Sequence, residues 1–170
     1  MQQHNNRVNP TVPYKDTSMK HLQKMSFDYK RNKYPSVTIL DIPKTIYNDK
    51  TANGLTKCVK DFLNLSGWQA ERINNTGRMV DDRTAYTDVL GRCRTVGSVN
   101  WVKGTGTDGT ADLSATIQGK SVKIEIKIGS DRQSEAQRNY QHIIEKAGGI
   151  YFIAKDFAQF YSWYLKTFTP

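Results

Sequence analysis

The strongest constraint on the fold is a pair of alternating segments, residues 112–117 and 122–128, on either side of Gly119 and Lys120. Successive side chains of a strand point to opposite faces, so each segment places its apolar residues on one side. Glycine at the first central position of a type II′ turn suits the two-residue connection between them. The sequence therefore predicts a β-hairpin with one face directed at a hydrophobic core.

The predicted turn also fixes which residues face one another, because pairs are counted outward from it. Three apolar pairs lie on one face: Ile117 with Val122, Ala115 with Ile124, and Leu113 with Ile126. Three polar pairs lie on the other: Asp112 with Lys127, Ser114 with Glu125, and Thr116 with Lys123. Two carboxylates and an amine thus converge at the open end of the hairpin.

These polar residues are the types that a phosphodiester hydrolase needs. Asp112 and Glu125 offer the carboxylate oxygens that Mg²⁺ prefers, with the Ile126 carbonyl as a further ligand. A metal polarises the phosphoryl oxygen, and Lys127 would orient the attacking water or stabilise the charge that builds up. A ladder of surface ion pairs explains the same spacing without any function, so the spacing alone leaves both interpretations open.

Helices and strands are predicted on both sides of the hairpin. Apolar residues at helical spacing predict helices over residues 54–66, 134–147 and 157–168. Strands are predicted over residues 68–73 and 150–154. The order is helix, strand, hairpin, helix, strand, helix, which indicates an α/β (α+β) domain whose sheet contains the hairpin and is flanked by helices.

The first 34 residues differ from the rest in being polar, basic and poor in aliphatic side chains. Their cations are Arg7, Lys15, Lys20, Lys24, Lys30, Arg31 and Lys33, against only Asp16 and Asp28. This composition predicts a flexible arm over residues 1–34, followed by one domain over residues 35–170. Contact with phosphates or a partner, and a simple solvated tail, are equally open interpretations of the arm.

The whole chain of 170 residues carries a formal net charge of +9, which favours polyanionic partners such as DNA. Cations and aromatic residues alternate before the hairpin, at Arg72, Arg78, Arg83, Tyr86, Arg92, Arg94, Trp101 and Lys103. They could track a phosphate backbone, with the aromatic rings available to an unpaired base. A solvated irregular loop is the alternative interpretation. In this segment only Thr95 to Lys103 is strand-like.

Several other function classes are excluded. Cys58 and Cys93 have neither a disulfide framework nor a zinc spacing, and no apolar run approaches the ~20 residues of a membrane span. We therefore expect a soluble, cytoplasmic protein with no membrane partner. Residues 104–109 match G-x-G-x-x-G, but the dinucleotide-binding fingerprint requires a helix to follow the glycines, whereas a hairpin follows here.

Four short motifs occur in a recognisable order: GTADL at residues 109–113, IEIK at 124–127, SEAQ at 134–137 and GGIY at 148–151. Together they resemble the VRR-NUC branch of the PD-(D/E)XK nuclease superfamily, over about residues 104 to 155. The resemblance implies a restriction-endonuclease-like core with a central mixed sheet. It also implies a nuclease dependent on Mg²⁺ or Mn²⁺, in which Asp112 and Glu125 bind the metal and Lys127 is the catalytic lysine.

The resemblance further implies that Gln137 assists the site from the next helix. Ser134 and Gln137 also match a capping box, which explains their spacing without catalysis. Arg132 and Ser134 are candidate phosphate contacts in the same loop. Many relatives also place an acid on the first helix. Here the candidates near it are Asn53 and Asp61, with Asp49 or Glu71 as substitutes.

We therefore expect a structure-selective endonuclease of DNA recombination, repair or phage DNA processing, in a bacterial or phage-infected cell. Resolvase-like chemistry would favour a homodimer. The main alternative is a catalytically inactive nucleic-acid-binding protein on a nuclease scaffold. A further alternative is a structural protein whose basic arm meets an acidic partner. The residues do not distinguish DNA from RNA.

Overall fold

The computed structural model describes residues 14–74, 77–102, 104 and 106–169. The helices are α1 (Tyr14–Lys33), α2 (Ala52–Leu65), α3 (Glu135–Lys146) and α4 (Phe157–Phe168), with a 3-10 helix at Ile39–Asp41. The strands are β1 (Gln69–Arg72), β2 (Arg78–Asp81), β3 (Thr84–Thr87), β4 (Cys93–Val96), β5 (Val99–Val102), β6 (Leu113–Ile117), β7 (Lys120–Ile126) and β8 (Ile150–Ala154). Within these ranges, every helix is too short or too polar to cross a bilayer.

The central sheet has four strands in the order β1-β6-β7-β8. β6 pairs antiparallel with β1 and β7, whereas β8 pairs parallel with β7. The parallel pair requires a crossover, which α3 provides. The predicted α+β class, with a mixed sheet flanked by helices, is therefore confirmed. The predicted strand at residues 150–154 and helix at residues 157–168 have the observed bounds.

The two faces of the sheet are covered unequally. Leu113, Ile117, Val122 and Ile124 are fully buried on one face, where they form a core with α1, α2 and α4. The other face is covered by α3, for example where the rings of Tyr140 and Tyr151 lie 6.3 Å apart. The polar residues of β6 and β7 point to this second face.

The hairpin register differs from the prediction by two residues. Gln118 and Gly119 form the turn, both with positive φ (49° and 76°), as a type I′ turn requires. Leu113 pairs with Ile124 instead of Ile126, and Ser114 pairs with Lys123 instead of Glu125. A shift of two residues leaves every side chain on its predicted face, so the alternation could not reveal it. Asp112 consequently lies level with Glu125 instead of Lys127.

The prediction of a flexible arm was wrong for residues 14–33, which form α1. Ser18, Leu22 and Ser26 are buried along one side of this helix, at intervals of four residues. Two of the three are small and polar, so a search for apolar periodicity does not detect the stripe. Small residues allow α1 to lie close to its neighbours, and Leu22 fills the core. Residues 1–13 lie outside the described residues.

Residues 77–102 form a long two-stranded unit that we call the ribbon. β2 pairs with β5 and β3 pairs with β4, and the Asp82 amide donates to the Ser98 carbonyl between the two ladders. The sequence predicted only one strand-like part here, so the ribbon was largely missed. Its four strands are exposed almost throughout, and the described core includes no ribbon residue.

Candidate active site

Asp112, Glu125 and Lys127 lie together where β6 begins and β7 ends. Glu125 is 2% exposed and Lys127 is 8% exposed, while Asp112 is half-buried. The Asp112 carboxylate accepts a hydrogen bond from the Ile126 amide at 2.9 Å, which fixes it beside the end of β7. The predicted trio is therefore brought together, with Asp112 as its more accessible member.

The Lys127 ammonium lies between two carboxylates. Its Nζ is 3.3 Å from Oε1 of Glu125 and 3.4 Å from Oδ2 of Asp131. Asp131 lies in the loop that leads to α3, and its side chain is 60% exposed. Lys127 thus pairs with Glu125 and Asp131, while Asp112 lies near Glu125, so the cluster carries excess negative charge when all three acids are ionised.

Gln137 acts both as a helix cap and as a partner of the cluster. Its side-chain Oε1 accepts a hydrogen bond from the Ser134 backbone N–H at 2.9 Å. Its own backbone N–H donates to Ser134 Oγ, which completes the capping box. Its Nε2 donates to Oε1 of Glu125. Because the cap occupies the amide oxygen, it turns the NH₂ group toward the glutamate. The predicted capping box is therefore present, and the same side chain also contacts Glu125.

Gly109 brings the turn before Asp112 against the start of α3. It has a φ of +79°, and a Cβ at this position would lie 2.3 Å from the Ala136 carbonyl and 2.7 Å from the Gln137 amide nitrogen. Any larger residue would push the turn and the helix apart. This glycine therefore holds the segment that carries Asp112 close to the segment that carries Gln137.

The environment of Glu125 favours its protonated form. Burial raises the pKa of Glu125 to about 7, and the nearby charge of Asp112 adds to the rise. The hydrogen bonds and charge of Lys127, and a hydrogen bond from Tyr151, oppose the rise without cancelling it. The Tyr151 hydroxyl lies 3.4 Å from Oε2 of Glu125, and its own pKa is raised by burial and by the glutamate. Glu125 thus lies beside a carboxylate that raises its pKa and a lysine that lowers it.

The donor set suits Mg²⁺, which binds through one or two carboxylates and retains several waters. Asp112 and Glu125 supply the two carboxylates. The N–H and C=O of one strand residue point to the same side, and the Ile126 N–H points to Asp112, so its carbonyl does too. No group of three His, Cys, Asp or Glu side chains suited to a metal occurs in the described part of the chain. A closed all-protein cage is therefore not formed by these residues.

Three of the four candidates for a further acid are separated from the cluster by the sheet. Asp61 bonds to Tyr47 and Lys57, and Asp49 accepts from the amide of Phe157, the first residue of α4. Asn53 is exposed in the first turn of α2, and this helix packs on the face opposite Glu125. Glu71 is different. It lies in β1 and pairs with Ser114 of β6, so its side chain shares the face of the cluster. It is the one of the four with a route to the site.

The predicted nucleic-acid contacts fall into two places. Arg132 and Ser134 are exposed in the loop beside Lys127. Arg78, Arg92 and Arg94 lie on the ribbon, where Arg92 and Arg94 both pair with Asp88, at 3.4 and 2.9 Å. Much of the ribbon's positive charge is thus matched locally, since Arg83 also pairs with Asp81 at 2.7 Å. Lys103 lies outside the described residues.

Tyr151 is the site residue that sequence reasoning missed. It occupies β8, whose residues face the same way as their β7 partners, and its partner is Lys123 on the polar face. A tyrosine alternating with core residues in a parallel strand was the available indication. The second unexpected contact is that of Asp131, in the loop between β7 and α3, with Lys127.

Comparison with known proteins adds nothing to this geometry: no family model matches the sequence, and no curated protein or solved structure matches it significantly.

Proposed function

We propose that this protein is a metal-dependent nuclease of the PD-(D/E)XK type that hydrolyses phosphodiester bonds in DNA at the Asp112–Glu125–Lys127 cluster. One observation carries the proposal. Glu125 is almost fully buried beside a second carboxylate, with a single buried lysine as counter-charge. Burying charges lowers stability unless they are fully compensated, so a purely structural role would not favour a second acid here.

Each residue of the cluster has a role in this proposal. Asp112 and Glu125 would hold the cation, together with the Ile126 carbonyl. When bound, Mg²⁺ supplies Lewis acidity toward a phosphoryl oxygen and makes a nearby water more acidic. The Lys127 ammonium would stabilise negative charge that develops on the phosphate. Gln137 is a positioning residue, because it holds the Glu125 carboxylate through a side chain that is itself fixed by the cap.

The fold is compatible with a restriction-endonuclease-like core. The supporting features are the hairpin β6–β7, the crossover through α3, and the parallel strand β8, all of which position the cluster at one end of the sheet. The formal net charge of +9 supports a polyanionic substrate. The exposed Arg132 and Ser134 are the phosphate contacts nearest to the cluster, and Arg78 on the ribbon extends the basic surface. We also propose that the protein acts as a homodimer in a bacterial or phage-infected cell.

A nuclease assay with several substrates tests the proposal. Purified protein would be incubated with branched, flapped, linear and single-stranded DNA, and with RNA, in Mg²⁺, Mn²⁺ or EDTA. We expect cleavage that requires metal and falls by at least about 100-fold in Glu125→Gln, since the metal and its ligands supply several kcal/mol of transition-state stabilisation.

The matched control is Glu145→Gln, which makes the same change at an exposed position near the end of α3. It should retain activity. Cleavage that Glu125→Gln leaves unchanged would contradict the proposal.

A non-catalytic nucleic-acid-binding protein is the second candidate. It is favoured by the contacts of the Glu125 oxygens, which Gln137, Lys127 and Tyr151 already engage. Among the described residues, no buried side-chain nitrogen or oxygen lacks a hydrogen-bond partner. Salt-sensitive binding to DNA without metal-dependent cleavage would establish this function instead.

A further inference from the structure

A cleft of about 430 Å³ opens between α1, residues 34–50 and α2. Its lining includes Tyr29, Lys30, Lys33 and Tyr34 from α1 and its end, and Lys57 and Asp61 from α2. The volume lies within the range of about 300 to 1,000 Å³ that is usual for small-molecule sites. α2 packs on the face of the sheet opposite Glu125, so this cleft is separate from the carboxylate cluster.

The cleft is held in shape by hydrogen bonds across it. Ser26 Oγ and Thr45 Oγ1 are 2.9 Å apart, which ties the segment after α1 to that helix. Lys30 Nζ donates to the Pro43 carbonyl at 2.7 Å, and the Tyr47 hydroxyl donates to Asp61 at 3.2 Å. Three bonds between separate elements thus fix the walls, and a ligand would not need to order them.

Two tyrosine rings at the end of α1 are exposed and lie outside the described hydrophobic core. Tyr29 is 54% exposed and Tyr34 is 50% exposed. The Lys33 ammonium lies 5.9 Å from the centre of the Tyr29 ring and 5.6 Å from that of Tyr34. One cation between two accessible aromatic faces can serve a ligand that carries both a planar ring and an anionic group.

The charge of the cleft favours an anion. Lys30, Lys33 and Lys57 oppose only Asp61 among its charged lining residues, which gives three positive charges minus one, or +2. Asp61 is already bonded to Lys57 at 3.0 Å and to Tyr47, so it is partly neutralised. Each ammonium has three donors, and Lys30 uses one on Pro43, so it can also bind a phosphate oxygen.

We propose that this cleft binds a nucleoside phosphate. The base stacks on Tyr34, the phosphate meets Lys30 and Lys33, and Asp61 accepts a hydrogen bond from a sugar hydroxyl or a base N–H. The ligand is either a free nucleotide or an unpaired nucleotide of a single strand, since both present the same chemistry. The inference does not depend on nuclease activity.

Calorimetric titration of the full chain with 5′-AMP, with a short oligothymidylate and with inorganic phosphate tests this site. We expect Tyr34→Ala to weaken nucleotide binding by about 5- to 100-fold, because one base–aromatic stack contributes ~1–3 kcal/mol. Tyr34→Phe should restore binding, because it keeps the ring. Lys33→Glu should weaken binding by at least about 10-fold, and its matched control is Lys166→Glu at an exposed position of α4.

Every outcome of the titration is informative. Binding of 5′-AMP identifies a free nucleotide as sufficient, whereas binding of the oligothymidylate alone identifies a strand, and both support the site. Three results would overturn it: no binding of either ligand at low salt, phosphate bound as tightly as 5′-AMP, or no greater loss in Tyr34→Ala and Lys33→Glu than in Lys166→Glu. Both substituted residues are exposed, so the variants should stay folded, as circular dichroism would check.

Discussion

The hairpin β6–β7 and the ribbon are both antiparallel pairs, yet they have opposite environments. In the hairpin, apolar residues occupy one face and are buried there, while charged residues occupy the other. In the ribbon, apolar residues fall on both faces and stay exposed: Met79 and Trp101 on one, Tyr86 and Val96 on the other. The comparison teaches that antiparallel pairing alone does not bury apolar side chains. A second layer must cover the apolar face.

This difference also affects how much each region stabilises the domain. A two-stranded unit without a covering layer is only marginally stable in water. The ribbon therefore contributes little to the folded domain, whereas the hairpin lies at its centre and carries the candidate site. The charged groups follow the same division, because ribbon arginines pair with nearby aspartates in solvent while Lys127 pairs with Glu125 in the interior.

The two free cysteines give the largest expected contrast between the two regions. Cys58 is fully buried in α2, and burial raises its pKa to about 11, whereas Cys93 is exposed in the ribbon. We expect Ellman's reagent to label Cys93 at least about 1,000-fold faster, because Cys58 reacts only after the core opens. Cys93→Ser should abolish the fast phase, and denaturant should release the slow one. Equal rates for the two thiols would break the comparison.

The pKa values of the carboxylates in the two regions should be shifted in opposite directions. The pKa of Glu125 is raised to about 7, whereas Arg83 lowers the pKa of Asp81, and hydrogen bonds from Arg92 and Arg94 lower that of Asp88. A raised carboxyl pKa stabilises the fold below its unfolded value of 4.5, and this contribution is lost as pH rises through about 7. Carbon-detected NMR titration of the side chains would show the three values.

The stability consequence can be measured with Glu125→Gln in EDTA. Between about pH 4 and about pH 8, the wild type should lose on the order of 3 kcal/mol relative to the variant. Glu145→Gln, at an exposed position, should show no such difference. A wild type that gains stability relative to Glu125→Gln as the pH rises would contradict a raised pKa of Glu125.

A matched pair of valines gives the smallest expected effect. Val122 in β7 is fully buried and Val96 in the ribbon is 60% exposed. Val122→Ala should lower the free energy of unfolding by about 2 kcal/mol, through lost burial and a residual cavity. Val96→Ala should change it by less than about 0.5 kcal/mol. Urea denaturation of both variants would sharpen the contrast, and equal losses would mean that the ribbon is covered in solution.

The sequence predicted the faces of the hairpin better than its register. Burial requires only that Leu113, Ala115 and Ile117 share a side, and registers two residues apart satisfy this equally. The register depends on the turn, where Gln118 adopts a positive φ that is uncommon for a residue other than glycine. Asp112 was therefore placed on the correct face, yet opposite the wrong partner.

Other parts of the structure were hidden for different physical reasons. The stripe of α1 contains Ser18 and Ser26, which hydropathy treats as surface residues. The contact of Tyr151 with Glu125 depends on how β8 aligns with β7, which no local pattern specifies. Gln137 was predictable, because the capping box fixes the start of α3 and the orientation of its amide.

Paramagnetic broadening by Mn²⁺ would show directly whether the buried hairpin carries a divalent-cation site. Amide NMR signals of the full chain would be followed as substoichiometric Mn²⁺ is added. We expect broadening centred on Asp112, Glu125 and Ile126 that is lost in Asp112→Asn and retained in Glu145→Gln. Broadening centred on the ribbon acids Asp81 and Asp88, or unchanged by Asp112→Asn, would contradict it.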